Sequence, residues 1–287
     1  MPAVIAYPGT AGSFSEAAAR AAFPEGVCAG YPTFSEAAQA VVDGGADYAL
    51  LPVENSFAGA VLPTYSLLEK LPLHIVGETM RAVRHQLLGV PGATVAGLRS
   101  IASHPQAIAQ CDAFLQTLSG VQLIPSANTA ISAREVAQAG DPARGAIASR
   151  EAAQAFGLVI LKADIQTSSR NTTRFFILSR DARPLGDTCN KSTVVFTVNN
   201  EVGALVRVLS SFAASGLNMS RIESRPLPHT TFAYFFSADF EGPMDPEHLQ
   251  RAMTQARPYT RELRLLGAYL KADMPPACGA KKEDDNA

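Results

Sequence analysis

Four groups of polar residues combine hydroxyl, amide and charged side chains next to apolar runs. They are 54–56, 103–110, 171–175 and, in the last third of the chain, 223–226, which we consider together with the small and apolar residues 203–206. Such side chains anchor carboxylates and donate hydrogen bonds to leaving oxygens, and open α/β sheets place ligands at the carboxyl ends of their strands. Each group taken alone also fits an ordinary turn, helix cap, strand or hairpin. Their meaning therefore depends on the elements that position them.

The composition limits the classes of function. Of 287 residues, 47% are apolar and 17% are charged, and the formal net charge of -2 leaves no basic field for nucleic acid. No apolar run approaches the roughly 20 residues that span a bilayer, and Met1 to Gly9 has no cationic segment before its short apolar stretch. We therefore expect a cytoplasmic protein with neither nucleic-acid nor membrane partners.

The spacing of cysteine and histidine argues against a metal site. The four cysteines lie far apart without a CxxC pair, and the five histidines show no HExxH or comparable ligand spacing. A reducing compartment also argues against disulfides. The sequence therefore predicts no metal and free thiols.

The elements of the first half are marked by their capping residues. From Val4 to Leu161, short apolar runs alternate with Ala-rich stretches, which is typical of a mostly parallel sheet covered by helices. Ser13-Phe-Ser-Glu16 and Thr33-Phe-Ser-Glu36 each place a hydroxyl at the N-cap and a carboxylate three residues later, so two helices are predicted there. Pro105, after Ser103-His104, begins another. The N-termini of such helices attract anions.

The chain divides into domains at changes of pattern. Two long extended segments, 73–90 and 162–178, predict crossings between two lobes and therefore a hinged cleft. After a linker at 180–190, the pattern becomes strand, helix, hairpin, helix and strand, which predicts a ferredoxin-like βαββαβ unit. The expected divisions are a two-lobed domain at 1–180, a second domain at 191–271 and a disordered tail at 273–287.

The order and separation of the polar groups resemble the prephenate dehydratase family from Val4 to Leu270. Gly12-Ser13-Phe14-Ser15-Glu16 is similar to that family's GTFSE segment, Pro52-Val53-Glu54-Asn55-Ser56 to its P-I/V-E-N-S segment, and Thr173-Arg174-Phe175 to its TRF signature. The C-terminal unit resembles an ACT domain with GAL and ESRP elements at 203–205 and 223–226. Ser13 replaces the usual Thr, and Val202 stands where the family commonly has Pro, which removes a φ-fixing residue beside the effector site.

The resemblance implies an α/β fold. Its catalytic domain would be two-lobed and periplasmic-binding-protein-like, with a hinged cleft, and would be followed by the ACT domain. It also implies a carbon–oxygen lyase reaction of L-phenylalanine biosynthesis, in which prephenate loses CO2 and water to give phenylpyruvate. Aromatisation drives this reaction, so no metal, nucleophile or cofactor is implied.

The residues that the resemblance assigns to catalysis supply a donor to the leaving hydroxyl and anchors for the substrate. Thr173 is implied as the donor, through an oriented hydrogen bond because a threonine is a weak acid. Arg174 anchors a carboxylate or holds the cleft wall. The other implied catalytic residues are Glu54, Asn55, Ser103 and Gln110, and the implied substrate-binding residues are Thr172, Arg174, Phe175, Ser13, Ser56 and His104.

The resemblance further implies feedback inhibition by L-phenylalanine at the ACT domain. The helix after Gly203 offers backbone N–H groups to the effector's carboxylate, and Asn218 with Glu223-Ser224 supplies acceptors for its ammonium. ACT units commonly pair edge to edge, so a homodimer or homotetramer is expected. The implied effector-binding residues are Gly203, Ala204, Leu205, Val206, Leu217, Asn218, Glu223, Ser224, Arg225 and Pro226.

Two other functions remain open from the sequence. An arogenate dehydratase performs the same chemistry on a substrate whose side chain is an amino acid. A non-catalytic amino-acid sensor also fits, because hinged two-lobed folds serve solute-binding proteins. The cluster Thr172-Thr173-Arg174 favours an enzyme, since a sensor does not need it.

Overall fold

The computed structural model describes residues 1–185, 188–199, 201–226 and 234–275. They form three β-sheets with helices packed against them. The strands are β1 (Val4–Pro8), β2 (Val27–Tyr31), β3 (Tyr48–Asn55), β4 (Gly59–Ala60), β5 (His74–Ala82), β6 (Gln86–Gly89), β7 (Ser100–Ser103), β8 (Gln122–Pro125), β9 (Arg144–Ala148), β10 (Val159–Lys162), β11 (Thr172–Ser179), β12 (Lys191–Val198), β13 (Asn218–Pro226), β14 (Tyr234–Glu241) and β15 (Thr260–Tyr269). The α-helices are α1 (Phe14–Ala22), α2 (Phe34–Val42), α3 (Leu62–Lys70), α4 (Pro105–Gln110), α5 (Asp112–Leu115), α6 (Thr129–Ala139), α7 (Arg150–Phe156), α8 (Ala204–Ala214) and α9 (Pro246–Ala256).

The first sheet, with α1 to α3, is called the first unit. Its strand order is β2-β1-β3-β11-β5, with the short β4 beside β3. β1, β2 and β3 run parallel, whereas β11 is antiparallel to both of its neighbours. Successive side chains of a strand point to opposite faces. Phe175 accordingly packs with Ile5 and Leu50 on the face that α1 covers, and Phe176 packs with Ile75 on the other face.

The second sheet, with α4 to α7, is called the second unit. Its strand order is β10-β6-β9-β7-β8, in which β6 is antiparallel to both neighbours and β7, β8 and β9 are parallel. α6 and α7 pack on Leu88, and α4 and α5 pack on Leu87. The chain passes from the first unit to the second at 83–85 and returns at 163–171.

The third sheet, with α8 and α9, is called the third unit. Its element order is β-α-β-β-α-β, and its strand order is β13-β14-β12-β15, antiparallel throughout. Both helices cover one face. The other face packs on the first unit, where Leu266 and Tyr269 join the same core as Phe176. Gly267 lies so close to the backbone of Ile75 that a β-carbon there would overlap the Ile75 carbonyl.

Polar side chains cap the N-termini of α1, α2, α4 and α6. The hydroxyls of Ser13 and Thr33 accept from the third residue of α1 and α2, as the sequence predicts. α4 begins at Pro105 with His104 as its N-cap, and Asn128 caps α6. Because the N–H groups of a helix's first turn lack intrahelical partners, the starts of α1, α2 and α6 offer backbone donors beside those that their caps satisfy.

Two of the predicted segments lie partly outside the described residues. In the linker, 180–185 and 188–190 form neither helix nor strand. Residues 271–275 form none either, and 276–287 of the predicted tail are not among the described residues. Over the described ranges, no helix is both long and apolar enough to cross a membrane.

Candidate active site

A cavity of about 300 Å³ lies between the first and second units. Three helices of the two units, α1, α2 and α6, contribute their first residues to its wall. The carboxyl-terminal end of β3 and the start of β11 contribute the polar part from the first unit. The lining residues are Phe14, Ser15, Phe34, Pro52, Asn55, Ala58, Val61, Thr173 and Phe175 from the first unit, and Val83, His85, His104, Gln106, Ala107, Gln110, Asn128 and Thr129 from the second unit and the crossing into it.

Thr173 lies opposite Asn55 in the pairing of β11 with β3. Asn55 Oδ1 accepts from the backbone N–H groups of Phe57 and Ala58, each at 3.0 Å. This fixes the amide orientation, because only the amide nitrogen then faces β11. Asn55 Nδ2 donates to Thr173 Oγ1 at 3.0 Å. Since Oγ1 accepts this bond and donates to no other described residue, the hydroxyl hydrogen is left to a molecule in the cavity.

The same amide begins a chain of hydrogen bonds that crosses to the second unit. Asn55 Nδ2 also donates to Asn171 Oδ1 at 2.9 Å, and Asn171 Nδ2 donates to Gln110 Oε1 at 2.8 Å. Gln110 Oε1 lies 2.8 Å from His85 Nε2. Because this oxygen can only accept, His85 Nε2 must carry its hydrogen. The chain therefore holds Asn55, and through it Thr173, in one orientation.

His85 is neutral and buried in this arrangement. Burial lowers the pKa of His85, and the hydrogen bond to Gln110 opposes that shift in part. With Nε2 engaged, Nδ1 is an acceptor, and it has no partner among the described residues. The side chain of Phe14 meets the imidazole edge to face at 5.6 Å. His85 is not among the predicted site residues, because an isolated histidine at a crossing carries no local motif.

No arginine, lysine, aspartate or glutamate is among the described residues that line the cavity. The positive potential there comes from backbone N–H groups at the starts of α1, α2 and α6. Phe14, Phe34 and Phe175 supply an apolar surface beside them. The site therefore suits a compact molecule that carries carboxylates and an apolar ring.

Two of the predicted site residues lie on the opposite face of the first sheet. Arg174, next to Thr173, points away from the cavity and donates to Glu78 at 2.7 Å and to Asp239 of the third unit at 2.6 Å. Burial opposes the charge of Arg174, but Asp239 and Glu78 together hold its pKa above the ordinary value. Glu54, next to Asn55, accepts from Arg174 at 3.4 Å. Alternation along each strand turns both side chains toward the third unit and out of the cavity, and the substrate-binding role of Arg174 and the catalytic role of Glu54 stay predictions.

Four more predicted residues serve the framework of the cavity. Ser103 is fully buried, donates to Ile147 O at 2.7 Å and does not line the cavity, and its catalytic role stays a prediction. Ser13 caps α1, so its neighbours Phe14 and Ser15 form the lining in its place. Ser56 Oγ accepts from the N–H of Thr172 at 3.1 Å and ties the ends of β3 and β11 together.

The predicted effector residues lie on two elements of the third unit. Gly203 has a φ of +79° and precedes α8, where Ala204 is buried, Leu205 half-buried and Val206 exposed. β13, at the edge of the sheet, carries Asn218, Glu223, Ser224, Arg225 and Pro226, and Leu217 is buried directly before it. Arg225 reaches into the first unit, where it donates to Leu62 O at 2.9 Å and Ser66 Oγ at 3.1 Å, and its contact with the effector stays a prediction.

The strands and helices define an α/β protein with mixed sheets, in which a cavity lies between the first and second units. Residues 5–183 match the sequence model of the family described as prephenate dehydratase. The chain therefore belongs to the prephenate dehydratase family, and the resemblance drawn from its motifs is confirmed.

Named relatives cover most of the chain. An Arabidopsis thaliana protein named arogenate dehydratase/prephenate dehydratase 2, chloroplastic, is 38% identical over 92% of this chain and 72% of its own length. A Komagataeibacter europaeus protein named bifunctional N-acyl-homoserine lactone acylase/prephenate dehydratase is 37% identical over 93% and 95%. The crystal structure of an Arthrobacter aurescens prephenate dehydratase in complex with L-Phe is 31% identical, with a TM-score of 0.86 over 96% of this chain and 92% of that one.

Proposed function

We propose that this protein is a prephenate dehydratase, which converts prephenate to phenylpyruvate in L-phenylalanine biosynthesis. The observation that carries the proposal is the Thr173 hydroxyl, which accepts from Asn55 and keeps its own hydrogen for the cavity. A dehydration needs such a donor at the leaving oxygen. A binding protein has no need for a hydroxyl oriented by a chain of hydrogen bonds, and this disfavours the sensor alternative.

In the proposed reaction, the bond between the ring and its carboxylate breaks and CO2 leaves. The electron pair of that bond enters the ring, and the bond from the ring to the hydroxyl breaks on the opposite carbon. The departing oxygen takes its electron pair and a proton and leaves as water, and the ring becomes aromatic. Thr173 Oγ1 stabilises the developing charge on that oxygen by a hydrogen bond, and solvent supplies the proton.

The lining of the cavity supports the handling of both carboxylates. The side-chain carboxylate is held by N–H groups at a helix start, where no cation is needed. The ring carboxylate lies against aromatic side chains such as Phe14 and Phe175. An apolar surface solvates a localised anion poorly, so it favours a transition state in which that charge spreads into the ring.

The preference for prephenate over arogenate follows from the charges of the lining. Arogenate carries an ammonium where prephenate carries a keto group. No described lining residue carries a carboxylate, and the Glu54 side chain lies on the other face of the sheet. An unpaired buried cation costs several kcal/mol, so we expect prephenate to be favoured by about 10–100-fold in kcat/KM.

For regulation, we propose that the first and second units are the two lobes of a hinged, periplasmic-binding-protein-like catalytic domain at 1–180. The third unit, within 191–271, is proposed to be an ACT domain that binds L-phenylalanine and inhibits the enzyme as a homodimer or homotetramer. The β-α-β-β-α-β order supports this, as does the relative whose structure contains L-Phe.

One set of assays tests the proposal. Purified protein is given prephenate or arogenate, and phenylpyruvate and phenylalanine are quantified, with an N-acyl-homoserine lactone as a third substrate because a relative carries that activity in its name. We expect phenylpyruvate from prephenate at the highest rate, lowered by added phenylalanine. Faster turnover of arogenate would overturn the substrate assignment. Turnover of neither would overturn the proposed enzyme.

A further inference from the structure

Arg221, on β13, is shared between the first and third units. Its Nη2 lies 3.4 Å from Glu223 Oε2 on the same strand, and its Nε lies 3.6 Å from Glu54 Oε2 on β3. The guanidinium also sits over the ring of Tyr65, on α3, at 4.7 Å. One cation therefore bridges two carboxylates that belong to different units.

The ion pairs of Arg221 are long, although its side chain is buried. Only 9% of the Arg221 side chain is exposed, and its Nη1 has no hydrogen-bond partner among the described residues. By contrast, the neighbouring Arg174 binds Glu78 at 2.7 Å and Asp239 at 2.6 Å, and Glu54 is its third, longer contact at 3.4 Å. A buried guanidinium without full pairing gains free energy from any shift that improves one of its ion pairs. Arg221 can therefore move between partners, whereas Arg174 is fixed.

Each partner of Arg221 has a neighbour with a proposed role. Glu223 is a proposed acceptor for the ammonium of phenylalanine. Glu54 directly precedes Asn55, which orients Thr173 Oγ1. In the pairing of β11 with β3, Glu54 is opposite Arg174 and Asn55 is opposite Thr173. A displacement of Glu54 on one face of β3 is thus carried by the backbone to Asn55 on the other.

We propose that Arg221 transmits effector binding to the cavity by exchanging Glu223 for Glu54. When an α-ammonium pairs with Glu223, it competes with Arg221 for that carboxylate. Arg221 then closes on Glu54, which draws Glu54 and Asn55 from their resting positions and misaligns the Thr173 hydroxyl. Arg221 acts here as a positioning residue, and the inference rests on the proposed function.

The mechanism predicts the form of the inhibition. Because the change reaches the hydrogen-bond donor and leaves the helix N-termini in place, phenylalanine should lower kcat more than it raises KM. Effectors of typical allosteric proteins change affinity or activity by about 5–150-fold, and we expect the ratio of kcat without and with saturating phenylalanine to lie in that range.

The test separates binding of the effector from its effect. Arg221→Gln removes the shared cation, and Arg251→Gln, on an exposed position of α9, is the matched control. Phenylalanine binding is measured by calorimetric titration, inhibition by initial rates, and folding by the melting temperature. For Arg221→Gln we expect a dissociation constant within about fivefold of the wild type and an inhibition ratio near 1. Arg221→Lys, which keeps the charge but cannot bridge as a planar fork, should give an intermediate ratio.

The outcomes distinguish the inference from the function on which it rests. If wild type and Arg221→Gln bind phenylalanine and are inhibited equally, the exchange is overturned while the proposed function stands. If Arg221→Gln no longer binds phenylalanine, Arg221 belongs to the effector site and the exchange is again overturned. If the wild type is not a dehydratase, or is one that phenylalanine does not inhibit, the proposed function or its regulation fails, and the exchange fails with it.

Discussion

Replacing Thr173 by alanine should remove turnover while leaving the fold nearly intact. In this variant Asn55 Nδ2 keeps Asn171 Oδ1 at 2.9 Å and Thr172 O at 3.4 Å, so no buried donor is orphaned. The loss in the free energy of unfolding is therefore that of one side-chain hydrogen bond, about 1 kcal/mol, which lowers the melting temperature by roughly 2–4 °C in a chain of this size. Turnover should fall far more, because one preorganised donor is worth about 10²–10³ in kcat.

The assay measures initial rates of phenylpyruvate formation across a range of prephenate concentrations, with thermal unfolding of the same samples. KM should change little, since the hydrogen bond to the leaving oxygen strengthens only as the bond breaks. Thr173→Ser keeps the hydroxyl and should retain at least about a tenth of the wild-type kcat. A Thr173→Ala variant whose kcat stays within about threefold of the wild type would refute the assigned role, and so would a fall in activity matched by a large loss of stability.

Three further variants test the surroundings of the site. Burial lowers the pKa of His85, so the unfolded chain takes up a proton before the folded protein does as the pH falls below about 6.5, and the free energy of unfolding should decline from there. Between pH 7 and 5, the melting temperature of His85→Gln should fall less steeply than that of the wild type. Equal slopes would contradict this. Arg174→Met leaves Asp239 buried without its cation, which should cost about 3–5 kcal/mol in urea unfolding with KM nearly unchanged; a raised KM at full stability would restore its role in substrate binding. Gly267→Ala forces a β-carbon against the Ile75 carbonyl and should lower the free energy of unfolding by about 1–3 kcal/mol, measured by the same urea unfolding. An unchanged urea midpoint would show that the backbone shifts to accommodate the β-carbon.

The elements that local chemistry specifies could be predicted closely from the sequence. The order strand, helix, hairpin, helix and strand that the pattern predicts after the linker is found, with its helices at Ala204–Ala214 and Pro246–Ala256. Ser13 and Thr33 cap their helices because an N-cap is a contact between residues three apart. How the third unit docks could not be predicted in this way. Its contacts with the first unit join residues far apart in the chain, such as Arg174 with Asp239, 65 positions away, and Glu78 with Lys191, 113 positions away, and the sequence alone gives no local signal for them.

The motifs predict which segments lie beside the cavity, but not which of their side chains face it. Asn55, Gln110, Thr173, His104 and Phe175 all line the cavity. The motifs place Glu54 with Asn55 and Arg174 with Thr173, although successive side chains of a strand point to opposite faces of the sheet. Neighbours in sequence thus divide between two tasks.

The closeness of the first and third units limits how this protein can be taken apart. Eleven residues separate the end of β11 from β12, the first strand of the third unit. The helix-free face of that unit's sheet packs on Phe176 and Ile75, and at Gly267 it approaches so closely that only a glycine fits. Removing the third unit at the linker would expose that apolar face together with the buried charges of Glu78 and Arg174. The third unit is therefore not a detachable module, and recombination that exchanged it for another would have to replace the outer face of the first sheet as well.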